Sequence, residues 1–361
     1  MIGKKYWCFL IIGISFLGCK TKRMQLRFLD EYVFQDSVVF EESVIGGLSG
    51  VDKNKSTYYF VVDDSKKPRV LKGEIVIENG KIIDVSFKKT ILINDTINGF
   101  YQKEILDLES VFVDSKGNLN VTSEGSIKNN KRPTVFVTDS LGSFVEEVLL
   151  PDYLGDIDVG KHRHNGVFEG SSKSIDGRGF WVSLEAPLRI DGEEPSYSKK
   201  KSPIRITYFD SKEKKATKQY AYELEYLEKP AKGDINLNGV TAILEFGRGK
   251  FFVVERIYQS GYGSYGNTIR IFKASADNET TNTLGVKSLK NSNYIPLKKE
   301  LLFDFEWVKA ELMEGVIDNI EGICFGDVLP NGNKTLLLIS DDNFQLYGKQ
   351  LNQFILMEIV E

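Results

Sequence analysis

The stretch that decides the fold is Leu108-Glu109-Ser110-Val111-Phe112-Val113, which is followed by Asp114-Ser115-Lys116-Gly117-Asn118 and then by Leu119-Asn120-Val121-Thr122-Ser123-Glu124. Two apolar runs on either side of a short turn rich in Gly and Asn predict a β-hairpin. One acid opens the first strand and another closes the second. The open ends of a hairpin lie side by side, so Glu109 and Glu124 are expected to be neighbours.

The same pattern occurs four more times along the chain. The other copies run from Leu48-Ser49-Gly50-Val51 to Asp63, from Phe168-Glu169-Gly170 to Glu185, from Gly239-Val240-Thr241 to Glu255, and from Ile320-Glu321-Gly322-Ile323 to Asp341. Further β-rich segments follow each hairpin, such as 134–138 and 144–150, so that most units contain four strands. Four-stranded units that are repeated along a chain are typical of a β-propeller.

The sequence therefore predicts an all-β fold, a β-propeller of five blades. A six-bladed ring is the alternative, because the third and fourth units are long enough to contain extra strands. The last unit lacks a fourth strand, and we expect the segment from Leu26 to Phe34 to supply it and to close the ring. The charged insertions Ile190 to Pro203 and Ala274 to Pro296 are predicted to be loops.

The N-terminus indicates export and lipid anchoring. Lys4 and Lys5 precede an apolar stretch that ends in Gly18-Cys19, which is typical of a lipoprotein signal peptide. We expect residues 1–18 to be removed, Cys19 to carry the lipid, residues 19–25 to form a linker and residues 26–361 to form one domain. The expected location is the outer membrane, its periplasmic face or the cell surface of a Gram-negative bacterium.

The charge of the chain limits its partners. The formal net charge is −4, and the loss of Lys4 and Lys5 with the signal would make it −6. Such a body repels nucleic acid, so we expect a small-molecule ligand and a monomer. Cys324 is the one cysteine that would stay free, and its apolar neighbours in sequence indicate a core position.

The acids of the five hairpins are expected to form two rings around one channel mouth. Carboxylates at such density need a positive partner, either a cation or arginines. A hard cation such as Ca²⁺ is favoured, because carboxylate oxygens suit it and the body has few His and Cys. The expected metal ligands are Glu109, Glu124, Glu169, Glu185, Glu321 and Asp341. The expected catalytic residues are Glu109, Glu169, Glu255 and Glu321.

Several basic and amide side chains follow the acids in sequence. We expect three arginines and two asparagines to bind substrate, namely Arg69, Arg256, Arg270, Asn267 and Asn343. Ion pairs that only lock the blades together are the alternative for each arginine. His162 and His164 could act as general acid and base, or could lie in a solvated loop.

The motifs together resemble the phytase-like family, also called the esterase-like activity of phytase family. The matching motifs are Gly47-Leu48-Ser49-Gly50-Val51, Asp107-Leu108-Glu109-Ser110, Asn165-Gly166-Val167-Phe168-Glu169-Gly170, Val254-Glu255-Arg256 and Asp318-Asn319-Ile320-Glu321-Gly322. Ser110 and Ser171 depart from the pattern. The resemblance implies a secreted or lipid-anchored bacterial protein and suggests hydrolysis of phosphate esters.

Three functions fit these observations. The first is a Ca²⁺-dependent phosphoric-ester hydrolase that acts on a phosphorylated small molecule. The second is a Ca²⁺-dependent lactonase or carboxylesterase, which would need fewer arginines. The third is a surface propeller without catalytic activity that binds a ligand or a protein.

Overall fold

The computed structural model describes residues 23–93, 99–198 and 200–360. The signal peptide expected at residues 1–18 and the expected lipid attachment at Cys19 lie outside these residues. In the described part of the chain, no helix has the length and apolar character needed to cross a membrane.

Five four-stranded antiparallel sheets make up the molecule, and each one is a blade of the propeller. The innermost strand of each blade packs against the innermost strands of the two neighbouring blades, so the five blades close into a ring. The prediction of a five-bladed β-propeller is confirmed, and the six-bladed alternative is wrong. The strands of the first three blades are β4 (Leu48–Asn54), β5 (Thr57–Val62), β6 (Arg69–Glu78) and β7 (Lys81–Leu92); β8 (Leu108–Val113), β9 (Leu119–Ser123), β10 (Thr134–Thr138) and β11 (Phe144–Glu147); and β12 (Phe168–Lys173), β13 (Gly179–Leu184), β14 (Pro203–Asp210) and β15 (Lys215–Glu223).

The fifth blade joins the two ends of the chain. The fourth blade consists of β16 (Asn236–Gly247), β17 (Lys250–Gln259), β18 (Asn267–Ser275) and β19 (Lys298–Asp304), and the fifth of β20 (Asn319–Phe325), β21 (Thr335–Asp341), β22 (Asn352–Val360) and β1 (Gln25–Phe34). Strand β1 pairs with β22 from Gln25 opposite Val360 to Phe34 opposite Asn352. The predicted closure by the N-terminal strand is therefore confirmed.

The remaining elements are short. A small hairpin of β2 (Val39–Phe40) and β3 (Ser43–Val44) precedes the first blade. The α-helices are α1 (Phe100–Lys103), α2 (Asp152–Gly155) and α3 (Ile157–Gly160), and the 3₁₀ turns are Ile127–Asn129, Gly263–Tyr265, Phe305–Glu311, Met313–Gly315 and Asn343–Gln345. The two charged insertions contain no strand of their own, as the sequence predicts. A buried ion pair between Arg205 and Asp191 holds the first of them against the third blade.

The hydrophobic core lies between the blades, because each sheet packs its two faces against its neighbours. All six residues of β8 are buried, and Phe112 contacts Phe180 of the next blade with ring centroids 5.0 Å apart. Burial of one such phenylalanine contributes about 1.5–3 kcal/mol. This packing explains the continuous apolar runs in the second strands, such as Phe251–Val254 and Leu336–Ile339.

The direction of the strands gives the ring two distinct faces. Each first strand starts at one face, which we call the mouth face, and its hairpin turn lies at the opposite face, which we call the far face. The second strand returns to the mouth face. The beginnings of all first strands and the ends of all second strands therefore meet at the mouth face.

Candidate metal centre at the channel mouth

Each innermost strand contains a register shift near the mouth face, where it has one extra residue relative to its partner strand. Such a bulge turns a side chain out of the ladder, which is how a regular sheet can direct a functional group. In β8, for example, Leu108 pairs with Ser123 and Ser110 pairs with Thr122, which leaves Glu109 as the extra residue. The five bulge residues are Ser49, Glu109, Glu169, Thr241 and Glu321.

The bulge residues are of two kinds. Ser49 Oγ donates a 2.8 Å hydrogen bond to Leu108 O, and Thr241 Oγ1 donates a 2.7 Å bond to Ile320 O. Each hydroxyl therefore joins its own blade to the first strand of the next one along the chain. The three glutamates are buried, burial raises their pKa values, and they lie close to the acids that end the second strands.

The fourth blade departs from the prediction by one residue. Val240 is fully buried and pairs with Glu255, so Thr241 is the bulge residue. The next residue of the second strand, Arg256, therefore takes the position that a closing acid has in the other blades. Glu255 instead accepts hydrogen bonds from Tyr222 Oη at 2.6 Å and Asn238 Nδ2 at 3.0 Å, and it forms an ion pair with Lys299. Glu255 therefore does not take the position that the closing acids of the other four hairpins occupy, and its predicted catalytic role stays a prediction.

The carboxylates on one half of the mouth form two overlapping groups. One oxygen atom each from Glu109, Glu124 and Glu169 lie within 4.8 Å of one another, and so do those from Asp63, Asp107 and Glu109. Glu109 is common to both groups. The structure therefore brings together three of the six predicted metal ligands and adds Asp63, a predicted member of the ring, and Asp107.

The backbone fixes Glu124 within this group. Its Oε1 accepts hydrogen bonds from the amides of Gly166 at 2.8 Å and Val167 at 2.6 Å. Glu169 Oε2 is buried and has no hydrogen-bond partner among the described residues. A buried carboxylate oxygen without a partner is costly, so this atom indicates a place for a positively charged ligand.

The other half of the mouth is neutralised by a single arginine. The guanidinium of Arg256 donates to Glu321 Oε1 at 2.6 Å and to Glu185 Oε1 at 3.0 Å, and it also contacts Asn319 Oδ1. Asn319 Nδ2 donates to Glu321 Oε1 at 2.8 Å. Of the three arginines predicted to bind substrate, Arg256 is the one that lies at the mouth.

The electrostatics of the two halves differ accordingly. Burial raises the pKa of Glu109 well above its usual range, and the charge of Glu169 raises it further. Burial and the nearby Glu185 raise the pKa of Glu124 to about 8, against the opposing effect of its backbone donors. Burial raises the pKa of Glu321 only to about 6, because Arg256 favours its charged form.

Two acids at the edge of the mouth follow the same trend. Burial raises the pKa of Asp63, and a hydrogen bond with the side chain of Asp107 raises it further. Burial raises the pKa of Asp341 well above its usual range, and the charge of Glu321 adds to the effect. A cation would reverse these shifts, because it stabilises the ionised carboxylates.

Arg69 and Arg270 both form ion pairs with acids outside the two carboxylate groups. Arg69 is buried, forms a 2.7 Å ion pair with Asp64 and donates to Lys67 O at 2.9 Å. Arg270 lies on the third strand of its blade and pairs with Asp304 at 2.8 Å and with Glu228 at 3.1 Å. Both guanidinium groups hold loops and strands together through these ion pairs, and substrate binding by either one stays a prediction.

The two asparagines lie at the mouth face but beside different groups. Asn267 is buried at the start of β18, and its Nδ2 is 3.4 Å from Asp318 Oδ1. Asn343 follows β21 in a left-handed turn with a φ of 45°, and its amide donates to Asp341 Oδ1 at 2.7 Å. Substrate binding by either side chain stays a prediction.

Sequence reasoning missed Asp107 and Thr241. Asp107 stands directly before Leu108-Glu109, so an acid next to the opening motif was the available signal. Thr241 had no acid to mark it, and only the register of the strands identifies it. Of the two histidines, His162 is buried and has its pKa lowered to about 4 by burial, whereas His164 is exposed.

The donor set suits a hard cation. All ligands that the two overlapping groups offer are carboxylate oxygens, which Ca²⁺ prefers over the softer transition metals. Glu169, which carries the unpartnered oxygen, belongs to the group that Glu109 and Glu124 complete. The residues present therefore fit Ca²⁺, which is the ion that the sequence predicted.

Comparison with known proteins gives a family and several remote structural similarities. The solved structures that resemble the chain include an endo-arabinase from Bacteroides thetaiotaomicron, with 12% identity over 88% of this chain and 95% of that chain and a TM-score of 0.46. They also include an exo-β-1,3-galactanase from Phanerochaete chrysosporium, with 10% identity over 94% of this chain and 65% of that chain and a TM-score of 0.47. These similarities are too remote to support an inference about activity.

No curated protein matches the chain in sequence. The model of the phytase-like family, described as esterase-like activity of phytase, matches residues 43–344. This range contains all five hairpins and every carboxylate of the mouth. The chain therefore belongs to the phytase-like family.

Proposed function

We propose that the mouth binds Ca²⁺ and that the protein is a Ca²⁺-dependent hydrolase of phosphoric esters, with a phosphorylated small molecule as substrate. One observation carries the proposal. Glu109, Glu124 and Glu169 are buried within 4.8 Å of one another, and one oxygen of Glu169 lacks a partner in the described structure. Three buried carboxylates at this separation are unstable as anions without a cation.

The two overlapping groups offer two adjacent cation positions. Glu109, Glu124 and Glu169 would hold the first, and Asp63, Asp107 and Glu109 would hold the second. When bound, the cation supplies Lewis acidity toward a phosphoryl or carbonyl oxygen of the ester. Glu109 would contribute to both positions, so it is the residue on which the occupancy of the pair depends most.

The neutralised half of the mouth would supply the proton chemistry. Glu321 has a pKa of about 6, which is close to the pH at which a general base works best. Arg256 and Asn319 hold its carboxylate in place through the contacts described above. We therefore assign general-base catalysis to Glu321, with Arg256 as the residue that positions it.

A second candidate is a carboxyl-ester or lactone hydrolase that uses the same cation site. The observation that favours it is that the three arginines predicted to bind substrate already have acidic partners: Arg69 and Arg270 each pair with aspartate, and Arg256 binds two glutamates. A phosphate group would then have to rely on the cations for its binding. A propeller that binds a ligand without turnover is the third alternative, and the assay below distinguishes it.

The test is hydrolysis by the purified protein with Ca²⁺ or with a chelator. Release of phosphate from phytate and from sugar phosphates is measured beside cleavage of nitrophenyl esters and simple lactones. Phosphate release that depends on Ca²⁺ and falls at least 100-fold in Glu169→Gln is the expected result. The matched control is Glu228→Gln, which changes an exposed glutamate that pairs with Arg270 and belongs to neither carboxylate group.

The outcomes separate the three functions. Cleavage of carboxyl esters or lactones without phosphate release would establish the second candidate in place of the first. Absence of all turnover, with Ca²⁺ binding intact, would leave a binding propeller. Activity that is indifferent to the chelator and to Glu169→Gln would contradict the metal site itself.

A further inference from the structure

The far face carries a basic residue in the first turn of every blade. These five exposed residues are Lys55, Lys116, Arg178, Arg248 and Lys334. The turns that contain them hold eight Lys or Arg and three Asp over residues 53–57, 114–118, 173–178, 247–250 and 326–334. The whole chain has a net charge of −4, so this face is positive on a protein that is negative overall.

The acids of these turns are engaged in local contacts. Asp114 accepts from the amides of Lys116 at 2.8 Å and Asn118 at 2.9 Å, which stabilises its own turn. Asp176 pairs with Arg178 at 3.0 Å, and Asp327 pairs with Lys53. The lysines and arginines at the tips therefore dominate the charge that a flat anionic surface would meet.

Large apolar side chains are exposed on turns of the same face. Leu141 is 68% exposed in the turn between β10 and β11, Ile175 is 53% exposed between β12 and β13, and Val328 is 63% exposed between β20 and β21. The mouth face also exposes large apolar side chains, such as Leu346 and Tyr347, so the basic turns and not the apolar tips carry the argument for the orientation.

The N-terminal strand begins at this face. Arg23 pairs with Glu300 at 2.5 Å, and Arg27 pairs with Glu358. Glu358 also accepts hydrogen bonds at 2.7 Å from Asn331 and Asn333, which belong to a far-face turn. The described chain therefore begins at the far face, four residues after Cys19 in the sequence.

We propose that the far face rests on an anionic lipid surface to which an acylated Cys19 ties it, so that the acidic mouth points away from the membrane. The inference depends on the acylation of Cys19 and is independent of the proposed hydrolysis. One lipid group and a basic patch are the two signals that stable membrane attachment needs.

The orientation is tested with fluorescent probes in the lipidated protein on vesicles that contain phosphatidylglycerol and a lipid-borne quencher. Single cysteines replace Leu141, Val328 or, on the mouth face, Tyr347, which is 80% exposed. Cys324 is 2% exposed, so its labelling stays low. Quenching at least threefold stronger at positions 141 and 328 than at 347 is expected. Equal quenching, stronger quenching at 347 or quenching at none of the three would overturn the proposal.

The electrostatic part is tested with the Cys19→Ser protein on the same vesicles at low salt, in the presence of EGTA so that Ca²⁺ cannot bridge the acidic mouth to lipid. Joint replacement of Lys55, Lys116 and Arg248 by Glu is expected to reduce vesicle binding at least tenfold. The matched control reverses three exposed lysines of the mouth face, Lys66, Lys128 and Lys161. Unchanged binding by the far-face variant, an equal loss in the control, or no binding of the Cys19→Ser protein would contradict the proposal.

Discussion

The two halves of the channel mouth contain the same kinds of side chain but balance their charges differently. On one side, Arg256 lies within 3.0 Å of both Glu185 and Glu321, and the pKa of Glu321 rises only to about 6. On the other side, Glu109, Glu124 and Glu169 lie together without an arginine, and burial raises their pKa values further. The comparison shows where the fold supplies its own cation and where it leaves room for one.

The difference begins with one position in the repeat. In each blade, the residue just before the bulge pairs with a residue of the second strand, and the position of interest is the next one along that second strand. Blades one, two, three and five have an acid at this position, and blade four has Arg256. The same blade has Thr241 where three others have Glu in the bulge. A symmetric ring of carboxylates would need several cations, whereas this substitution divides the mouth into a neutral half and an acidic half.

The largest effect is expected from removal of the arginine. Arg256→Gln leaves Glu185 and Glu321 buried without a counter-charge and should lower the free energy of unfolding by about 3–5 kcal/mol. Chemical denaturation in EGTA measures it. The double variant Arg256→Gln/Glu321→Gln should recover more than half of the loss, and failure of this rescue would show that the arginine acts through packing and not through charge.

The next effect concerns the acidic half. Glu109→Gln should weaken Ca²⁺ binding by about 100-fold or more, because Glu109 belongs to both groups and the affinity of such a site follows its number of charged ligands. Titration calorimetry measures the affinity and the number of ions. Glu321→Gln, which alters the same bulge position in the neutral half, should keep Ca²⁺ binding within about tenfold and still lose hydrolysis. Equal loss of Ca²⁺ binding in both variants would erase the distinction between the halves.

A smaller effect is expected on the pH dependence of stability. The free energy of unfolding should fall as the pH rises in EGTA and should rise with pH when Ca²⁺ is bound. Burial keeps Glu124 protonated up to a pKa of about 8 in the folded protein, whereas in the unfolded chain it ionises near its usual pKa. Ionisation therefore favours the unfolded chain, and the free energy of unfolding in EGTA should fall by about 2 kcal/mol for this group between pH 6 and pH 7.5. Thermal unfolding at both pH values, with EGTA or Ca²⁺, measures the change.

The control for the pH effect is Glu124→Gln, which should remove about 2 kcal/mol of the fall in EGTA, while the other buried acids keep the rest of the slope. With Ca²⁺ present, the wild-type protein should become more stable as the pH rises, because the cation binds only the ionised carboxylates. A slope that has the same sign with and without Ca²⁺ would count against a cation site at Glu124.

The smallest effect separates the two kinds of bulge residue. Ser49→Ala and Thr241→Val each remove one hydrogen bond between neighbouring blades and should lower the free energy of unfolding by about 1 kcal/mol. Neither variant should change the affinity for Ca²⁺. A tenfold loss of affinity in either one would show that the hydroxyls belong to the metal site.

The fold was largely predictable, because the hairpins and their apolar strands are local features of the sequence. The pairing of Leu26–Phe34 with the last strand also followed, since a closed ring leaves a place for it. The site was predictable only where an acid marked the bulge. In the fourth blade, Val240 lies opposite Glu255 and Thr241 is the bulge residue. No local pattern in the sequence shows which of these neighbouring residues forms the bulge.

The arginines were the least predictable part of the site. Arg69 and Arg270 follow acids in the sequence as Arg256 does, yet they pair with Asp64 and Asp304, which belong to neither carboxylate group. Which acid an arginine reaches depends on the loop or strand that carries it and on the packing of neighbouring strands. These contacts join residues that are distant in sequence, so the spacing of charges along the chain does not determine them.

The most direct test of the account is the position of a bound cation. Crystals of the protein grown with Ca²⁺, or soaked with Tb³⁺ for a stronger anomalous signal, would locate the ion in a difference map. We expect an ion coordinated by Glu109, Glu124 and Glu169, with a second beside Asp63 and Asp107 at higher concentration. A mouth that stays empty at millimolar Ca²⁺, or an ion bound beside Arg256 instead, would contradict the account.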